Sequence, residues 1–399
     1  MMNKNEWKKV KLKELIYKPI SGEWGKDYNT DNENTAYVIR TTNFTNNGSV
    51  DIFNKEVVKR EISLSKIKEK KLKINDIIIE KSGGSPTQPV GRVVFFDIED
   101  DKNFLCNNFT SILRANEKIF PKYLFYNLRY LYQNKAVLKY QNKTTGIINL
   151  KLQNYIDDTN IFLPSLEEQK KICKILDYLF NILEMKKQQL SELDKLVKFQ
   201  FLKMFGDLQN NPKGFPIVTL EELGKWSSGG TPPRAKREYY TGNIDWYSAG
   251  ELNSLYLNGS LEKITTEAIN NSTAKLFKAG SMLIGMYDTA AFKMGILKKL
   301  SSSNQACACI EPNEKINIVW LYYALLLLKN YFLHQRRGVR QKNLNLGMIK
   351  SFKIPYVDKK EQNKFADFIK QVDKSKVELQ KSIDETQLLF DSLMDKYFG

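Results

Sequence analysis

The chain is poor in the residues that build metal sites and covalent chemistry. It has four cysteines and one histidine in 399 residues. Cys106, Cys173, Cys307 and Cys309 form no spaced framework, and Cys307-x-Cys309 has no second pair, so a zinc site completed by His334 alone is excluded. The C-x-C reads instead as alternate residues of a strand, and sparse unpatterned cysteine fits a reducing compartment. Long hydrophobic runs are missing too. The longest, Ile318 to Leu328, has 11 residues, too short to cross a bilayer, and reads as a buried helix. The first residues, MMNKNEWKKVKLKEL, hold no apolar stretch of the kind a secretory signal needs. The chain is therefore expected in the cytoplasm.

Catalytic signatures are also lacking. There is no GxGxxG opening a helix after a strand and no GxxxxGK[ST]. A Ser/His/Asp triad would need His334, which sits in the basic run His-Gln-Arg-Arg, a poor setting for a general base. No Pro-Asp dipeptide supports a nuclease centre, and no Asn-Pro-Pro-aromatic or Asp-Pro-Pro-aromatic run marks an amino-methyltransferase. No catalytic or metal-ligating residue is assigned.

What is abundant is positive charge. Lys and Arg number 62 against 45 Asp and Glu, a net of +17. Such a surplus implies a polyanionic partner, nucleic acid or an anionic membrane surface, unless it reflects only a Lys-rich codon bias. The absence of a membrane-length run favours nucleic acid. Hydrophobics at 42% are enough for real cores, and the length fits two or more domains.

The chain repeats itself. A shift of 208 lays Val10, Leu12, Glu14, Leu15 and Gly22 on Val218, Leu220, Glu222, Leu223 and Gly230. It also lays Tyr37–Phe44 on Asp245–Leu252. Smaller shifts match Lys73–Ile79 with Lys278–Ile284, Asn107-Asn108 with Asn304-Gln305, and Glu168-Gln169 with Glu361-Gln362. Order is kept throughout, so duplication is the economical explanation. Each half reads as a mixed region of short strands and turns, then a helix (Pro121–Tyr140; Ile318–Gln335), a short apolar stretch ending in Pro, and a long helix. The expected division is 1–148, 149–208, 209–342 and 343–399, an α+β chain with two mixed α/β heads.

In the long helices a 3-4 stripe runs through Leu176, Leu179, Leu183, Lys186, Leu190, Leu193, Val197, Gln200 and Met204. The same stripe recurs at Ile369, Val372, Lys376, Leu379, Ile383, Thr386, Phe390, Leu393 and Tyr397. Both copies carry the seam, so the two helices are expected to pair with each other rather than pack only on their own heads.

The polar loops are the candidates for contact with nucleic acid. They combine cations with Ser, Thr, Asn, Gln and Gly, groups that pair with base edges and phosphates. They are Arg40, Thr41, Thr42 and Asn43; Lys81, Ser82, Gly83, Gly84 and Ser85, with Arg92; and Lys143, Thr144 and Thr145. In the second half they are Ser228, Gly229, Gly230 and Thr231, with Arg234; Tyr247 and Ser248; and Arg336, Arg337, Arg340, Gln341 and Lys342. Solvated loops share this composition. The last segment stands apart, because four cations in seven residues repel one another unless an anion approaches. The Gly-Gly pairs fit backbone geometry or close approach to a ligand better than a nucleotide pocket.

In its motifs the chain resembles the specificity subunits of Type I restriction–modification systems. The carrying motifs are Leu163-Pro164-Ser165-Leu166-Glu167-Glu168-Gln169-Lys170-Lys171-Ile172 and its reduced copy Ile354-Pro355 with Glu361-Gln362. Ser228-Gly229-Gly230-Thr231-Pro232 and Lys73-Ile74-Asn75-Asp76-Ile77-Ile78 add to them. The resemblance implies two target-recognition domains, each reading half of a bipartite site in double-stranded DNA. It implies an antiparallel coiled-coil spacer made by the long helices, and an internal pseudo-two-fold repeat. It implies a non-catalytic subunit that recruits methyltransferase (M) and restriction (R) subunits. S-adenosylmethionine and ATP would then belong to those partners, with no cofactor in this chain and no membrane. A single-chain DNA-acting enzyme and a coiled-coil protein-interaction scaffold remain the alternatives. The first half has Ser21-Gly22-Glu23-Trp24 where the second has Gly229-Gly230-Thr231-Pro232, so that loop is expected to act differently in the two halves.

Overall fold

The computed structural model describes residues 7–29, 33–85, 87–144, 147–334 and 343–399. The chain divides into two compact units, Met1–Lys186 with Ser382–Gly399, and Lys187–Lys381. The division falls inside the two long helices. Each unit holds one mixed head and part of both long helices.

Four helices matter most, and we number them in chain order: α1 Pro121–Gln133, α2 Leu166–Phe205, α3 Ile318–Leu333 and α4 Lys359–Phe398. The first and third end earlier than their composition suggested. Lys135 takes a left-handed conformation (φ 59°) and turns the chain into a short 3-10 helix, Ala136–Tyr140. The helix expected to reach Gln335 stops at Leu333.

In the first unit, Asp76–Glu80 is the heart of a four-stranded antiparallel sheet, between Thr110–Leu113 and Val93–Phe96. All five of its residues are buried, as an apolar run covered on both faces requires. Its two end carboxylates are neutralised in place. Asp76 accepts two 2.7 Å hydrogen bonds from the Arg114 guanidinium, and Glu80 one of 2.9 Å from Arg92. A second sheet pairs Thr35–Ile39 in parallel with Phe104–Cys106. The core between them gathers Ile39, Phe44, Ile78, Val94, Phe96 and Ile112. Helix α1 starts on Pro121, whose missing N–H costs nothing there. It lies against α2 and α4: the Tyr126 hydroxyl donates to Asp177 at 2.6 Å, Tyr123 meets Phe398 edge-on at 5.3 Å, and the Tyr130 hydroxyl donates to Asp395 at 2.6 Å.

The second unit repeats this plan. Met282–Gly285 is flanked by Cys307–Pro312 and Met294–Leu297, and Ile244–Tyr247 pairs in parallel with Ser302–Ser303. Cys307 and Cys309 are indeed strand residues, both buried. Helix α3 is capped by Asn317, whose side chain accepts from the Val319 N–H at 3.0 Å. Phe201 and Phe205 of α2, Trp320 of α3 and Phe365 of α4 form an aromatic cluster with ring centroids 4.9–6.2 Å apart.

The two long helices touch in each unit. Lys186 donates to the Ser382 hydroxyl at 2.8 Å and to the Thr386 hydroxyl at 2.7 Å in the first unit, and Lys376 pairs with Asp194 in the second. The stripe read from the sequence is buried or half-buried along its length. It is corrected at its end, where Phe201 and Phe205 are the buried residues and Gln200 and Met204 only half-buried. A straight helix of 3.6 residues per turn drifts away from a strict 3.5-residue repeat, so the inward face moves by one position.

Candidate nucleic-acid interface

Two loops that lie some sixty residues apart in sequence meet in the first unit. Ser82–Gly84 is the third strand of a small sheet with the hairpin Gln141–Thr144 and Ile147–Leu150. The Ser82 hydroxyl donates to the Asn149 side chain at 2.6 Å, and the Leu150 N–H donates to the Lys81 carbonyl at 2.8 Å. The strand that carries Lys143 and Thr144 thus lies one strand from Ser82–Gly84, while Thr145 lies outside the described residues. Gly83 has φ 108° and open space where a Cβ would stand, so backbone is exposed there. Gly84 faces inward, with the Gln88 carbonyl 2.8 Å from a Cβ position. Ser85 is exposed.

Lys81 is the charged centre of this patch. It is half-buried, its ammonium donates to the Ser21 hydroxyl at 3.3 Å, and among the described residues it has no carboxylate partner. Burial holds its pKa below the ordinary lysine value. A phosphate would relieve that penalty. Exposed Phe109 and Ile147 flank the patch, and neither stood out in the sequence because nothing local marks an apolar residue as left uncovered by the fold.

The segment after Thr35–Ile39 is only partly available. Thr42 is exposed and Arg40 and Thr41 are half-buried. Asn43 is fully buried: its side-chain oxygen accepts the Arg40 N–H at 3.0 Å, and its amide donates to the Asp51 and Glu56 carbonyls at 3.1 Å. It braces the loop. Arg92 donates to Glu80 and, at 3.4 Å, to the Thr41 carbonyl, so its charge is already matched.

In the second unit the glycine pair is turned inward. A Cβ on Gly229 would stand 2.3 Å from the Ser303 and Asn304 carbonyls, and one on Gly230 would stand 2.1 Å from the Thr273 carbonyl. The close approach those glycines permit is to the protein's own backbone, so both leave the set of accessible candidates. Gly22 plays the same part: its N–H donates to Thr110 at 3.1 Å, as that of Gly229 does to Cys307 at 3.1 Å. The counterpart of Gly22 is therefore Gly229, one position from the alignment read off the sequence. Tyr247 is buried as well, which pushes its phenol up to about 12. The Ser228 side is half-buried, Thr231 donates to Gln305, and Ser248 donates to Glu251 at 2.6 Å. Arg234 grips Glu262 with both guanidinium nitrogens and stacks over Tyr240 at 4.4 Å and Trp246 at 5.0 Å. Arg336, Arg337, Arg340, Gln341 and Lys342 lie outside the described residues.

The arrangement offers cations, hydroxyls and exposed backbone, the means of holding phosphates and base edges. Among the described residues no helix is long and apolar enough to cross a membrane.

The chain matches the family model described as the Type I restriction modification DNA specificity domain twice, over residues 4–195 and 212–386. The putative type I restriction enzyme MjaX specificity subunit of Methanocaldococcus jannaschii is 24% identical over 392 residues, covering 92% of this chain and 87% of that protein. The match to the EcoR124I/EcoR124II specificity subunit of Escherichia coli is local, 28% over 161 residues, or 39% of this chain and 40% of that one. In fold, the S subunit of a Type-I restriction-modification system from M. genitalium superposes with a TM-score of 0.61 at 18% identity, over 100% of this chain and 98% of that one.

Proposed function

Because the chain belongs to the Type I restriction modification DNA specificity family, we propose that it reads a bipartite DNA site with one head per half-site. It is a specificity subunit, not the catalytic part of a restriction system. Its two heads are target-recognition domains related by an internal pseudo-two-fold repeat. The long helices pair as an antiparallel coiled coil that spaces the half-sites and offers a docking surface. Adenine-methyltransferase subunits with S-adenosylmethionine, and motor-nuclease subunits with ATP, supply the chemistry, and the complex works in the cytoplasm.

One observation carries this reading: a common frame holds different loops. Equivalent hydrogen bonds recur in the two units, Leu12 N–H to Thr159 with Leu220 N–H to Phe352, and Asn107 N–H to Ile39 with Asn304 N–H to Tyr247. In sequence, Lys143-Thr144-Thr145 falls opposite Arg336-Arg337, and Lys81-Ser82-Gly83-Gly84 has no similar loop after Ile284. Two readers built alike and equipped differently suit an asymmetric target. The test is to exchange residues 1–148 for those of a relative and map methylated adenines in host DNA. One half-site should change and the other persist. A change in both, or in neither, overturns the modular reading.

A further inference from the structure

The repeated frame identifies which part of the second unit stands where the first presents Lys81. The Lys81 N–H donates to the Phe109 carbonyl at 2.8 Å and its carbonyl accepts the Leu150 N–H at 2.8 Å. Met286 makes the same pair of bonds, to the Ala306 carbonyl at 2.9 Å and from the Leu344 N–H at 2.8 Å. Asn149 and Asn343 correspond as well: the first accepts from the Ser82 hydroxyl at 2.6 Å, the second from the Asp288 N–H at 3.0 Å. One strand further, the Glu80 N–H donates to Arg92 and the Gly285 N–H to Lys293, at 2.9 and 2.8 Å. Tyr287, Asp288 and Thr289 therefore take the place of Ser82–Gly84, and Lys293 that of Arg92.

Met286 is buried, so the cation of the first unit has no successor at its own position. Lys293 supplies one nearby. In the first unit Arg92 is neutralised by Glu80; in the second that carboxylate is replaced by Gly285, beside which a Cβ would meet the Ala290 carbonyl at 2.2 Å. Lys293 donates only to the Gly250 carbonyl, at 3.3 Å, and among the described residues forms no ion pair. Tyr287, Asp288 and Thr289 are exposed, Tyr287 at 40%. Asp288 adopts φ 48°, a costly conformation for a non-glycine residue, and the Asn343 side chain holds it there.

We propose that Tyr287–Thr289 and Lys293 form the DNA-reading patch of the second unit, Lys293 holding a backbone phosphate and Tyr287 meeting base edges. The inference rests on the DNA-recognition reading above. An exposed phenol donates and accepts hydrogen bonds and lays an apolar face against a thymine methyl; a carboxylate accepts from the cytosine amino group. Lys293 contributes one counterion-releasing contact.

The experiment uses the full chain assembled with its methyltransferase subunits and a randomised 40-base-pair duplex library, with Lys81→Gln as the first-unit control. Lys293→Gln should lower the slope of log affinity against log salt by about 1, with selected sequences unchanged. Tyr287→Ala should weaken discrimination about tenfold at positions within one half-site and leave the other intact. Tyr287 is exposed and Lys293 half-buried, and unchanged melting curves establish that the variants fold. If Lys81→Gln lowers the slope while Lys293→Gln and Tyr287→Ala match the wild type in slope and selected sequence, the patch is not a reader and this inference alone falls. If the wild-type complex selects no sequence, the DNA-recognition reading falls and takes the inference with it.

Discussion

Gln169 and Gln362 perform one task at the bases of the two long helices. Each side-chain oxygen accepts, at 2.7 Å, the backbone N–H just ahead of a helix, from Phe120 before α1 and from the capping residue Asn317 before α3. Each amide donates to a carbonyl five residues upstream, Pro164 at 2.9 Å and Val357 at 2.7 Å. Both are fully buried. The Glu-Gln pair that repeats in the sequence is thus a staple that ties each head to the start of its long helix.

Replacing Gln169 or Gln362 by Leu strands a buried N–H and a buried carbonyl. Each variant should lose about 1–3 kcal/mol per unpaired group. Urea unfolding followed by circular dichroism reads this directly. A wild-type midpoint for either variant means the staple contributes nothing.

Lys81 should make DNA binding sensitive to alkali. Its pKa is depressed by burial, with added repulsion from Lys70. The ammonium is therefore lost sooner as pH rises than that of an exposed lysine. Affinity should fall on raising the pH toward 10, and Lys81→Gln should flatten that fall. Parallel curves for the two proteins would place Lys81 outside the interface.

The four thiols should be inert. Burial pushes Cys106 up to about 11 and Cys307 up to about 12, and raises Cys173 and Cys309 further still. Thiolate is the reactive form. A disulfide reagent at pH 8 should titrate none of the four in the folded protein and all of them in denaturant. Rapid labelling of the folded chain would contradict the packing around the central strands.

Charge placed in the helix seam should act according to depth. Ile383 is 7% exposed whereas Leu190 is half-buried. Ile383→Asp should cost several kcal/mol and Leu190→Asp markedly less, because water still reaches the second site. Inserting four residues after Lys187, about one helical turn, should lengthen the spacer between methylated half-sites without altering either. Unchanged spacing with continued methylation would relieve these helices of the role of ruler.

Local pattern carried much of this protein. The α2 and α4 stripes follow from the period that burial imposes on a helix face, the Asp76–Glu80 and Cys307–Pro312 strands from short runs buried on both faces, and the duplication from residues matched in order between the two halves. The loops were legible only as composition. Asn43, Gly229, Gly230 and Tyr247 have the polarity or flexibility of a binding surface, yet the fold spends each on its own interior. Tyr287 and Lys293 have no distinguishing local pattern, and their place is set by Met286, which holds in the second unit the backbone hydrogen bonds that Lys81 holds in the first. Exposure and charge balance depend on partners brought together from far along the chain: Glu80 cancels Arg92, while Gly285 leaves Lys293 uncancelled. Tertiary structure decided those pairings, because a side chain's solvation and counter-charge are set by what packs around it and not by its neighbours in sequence.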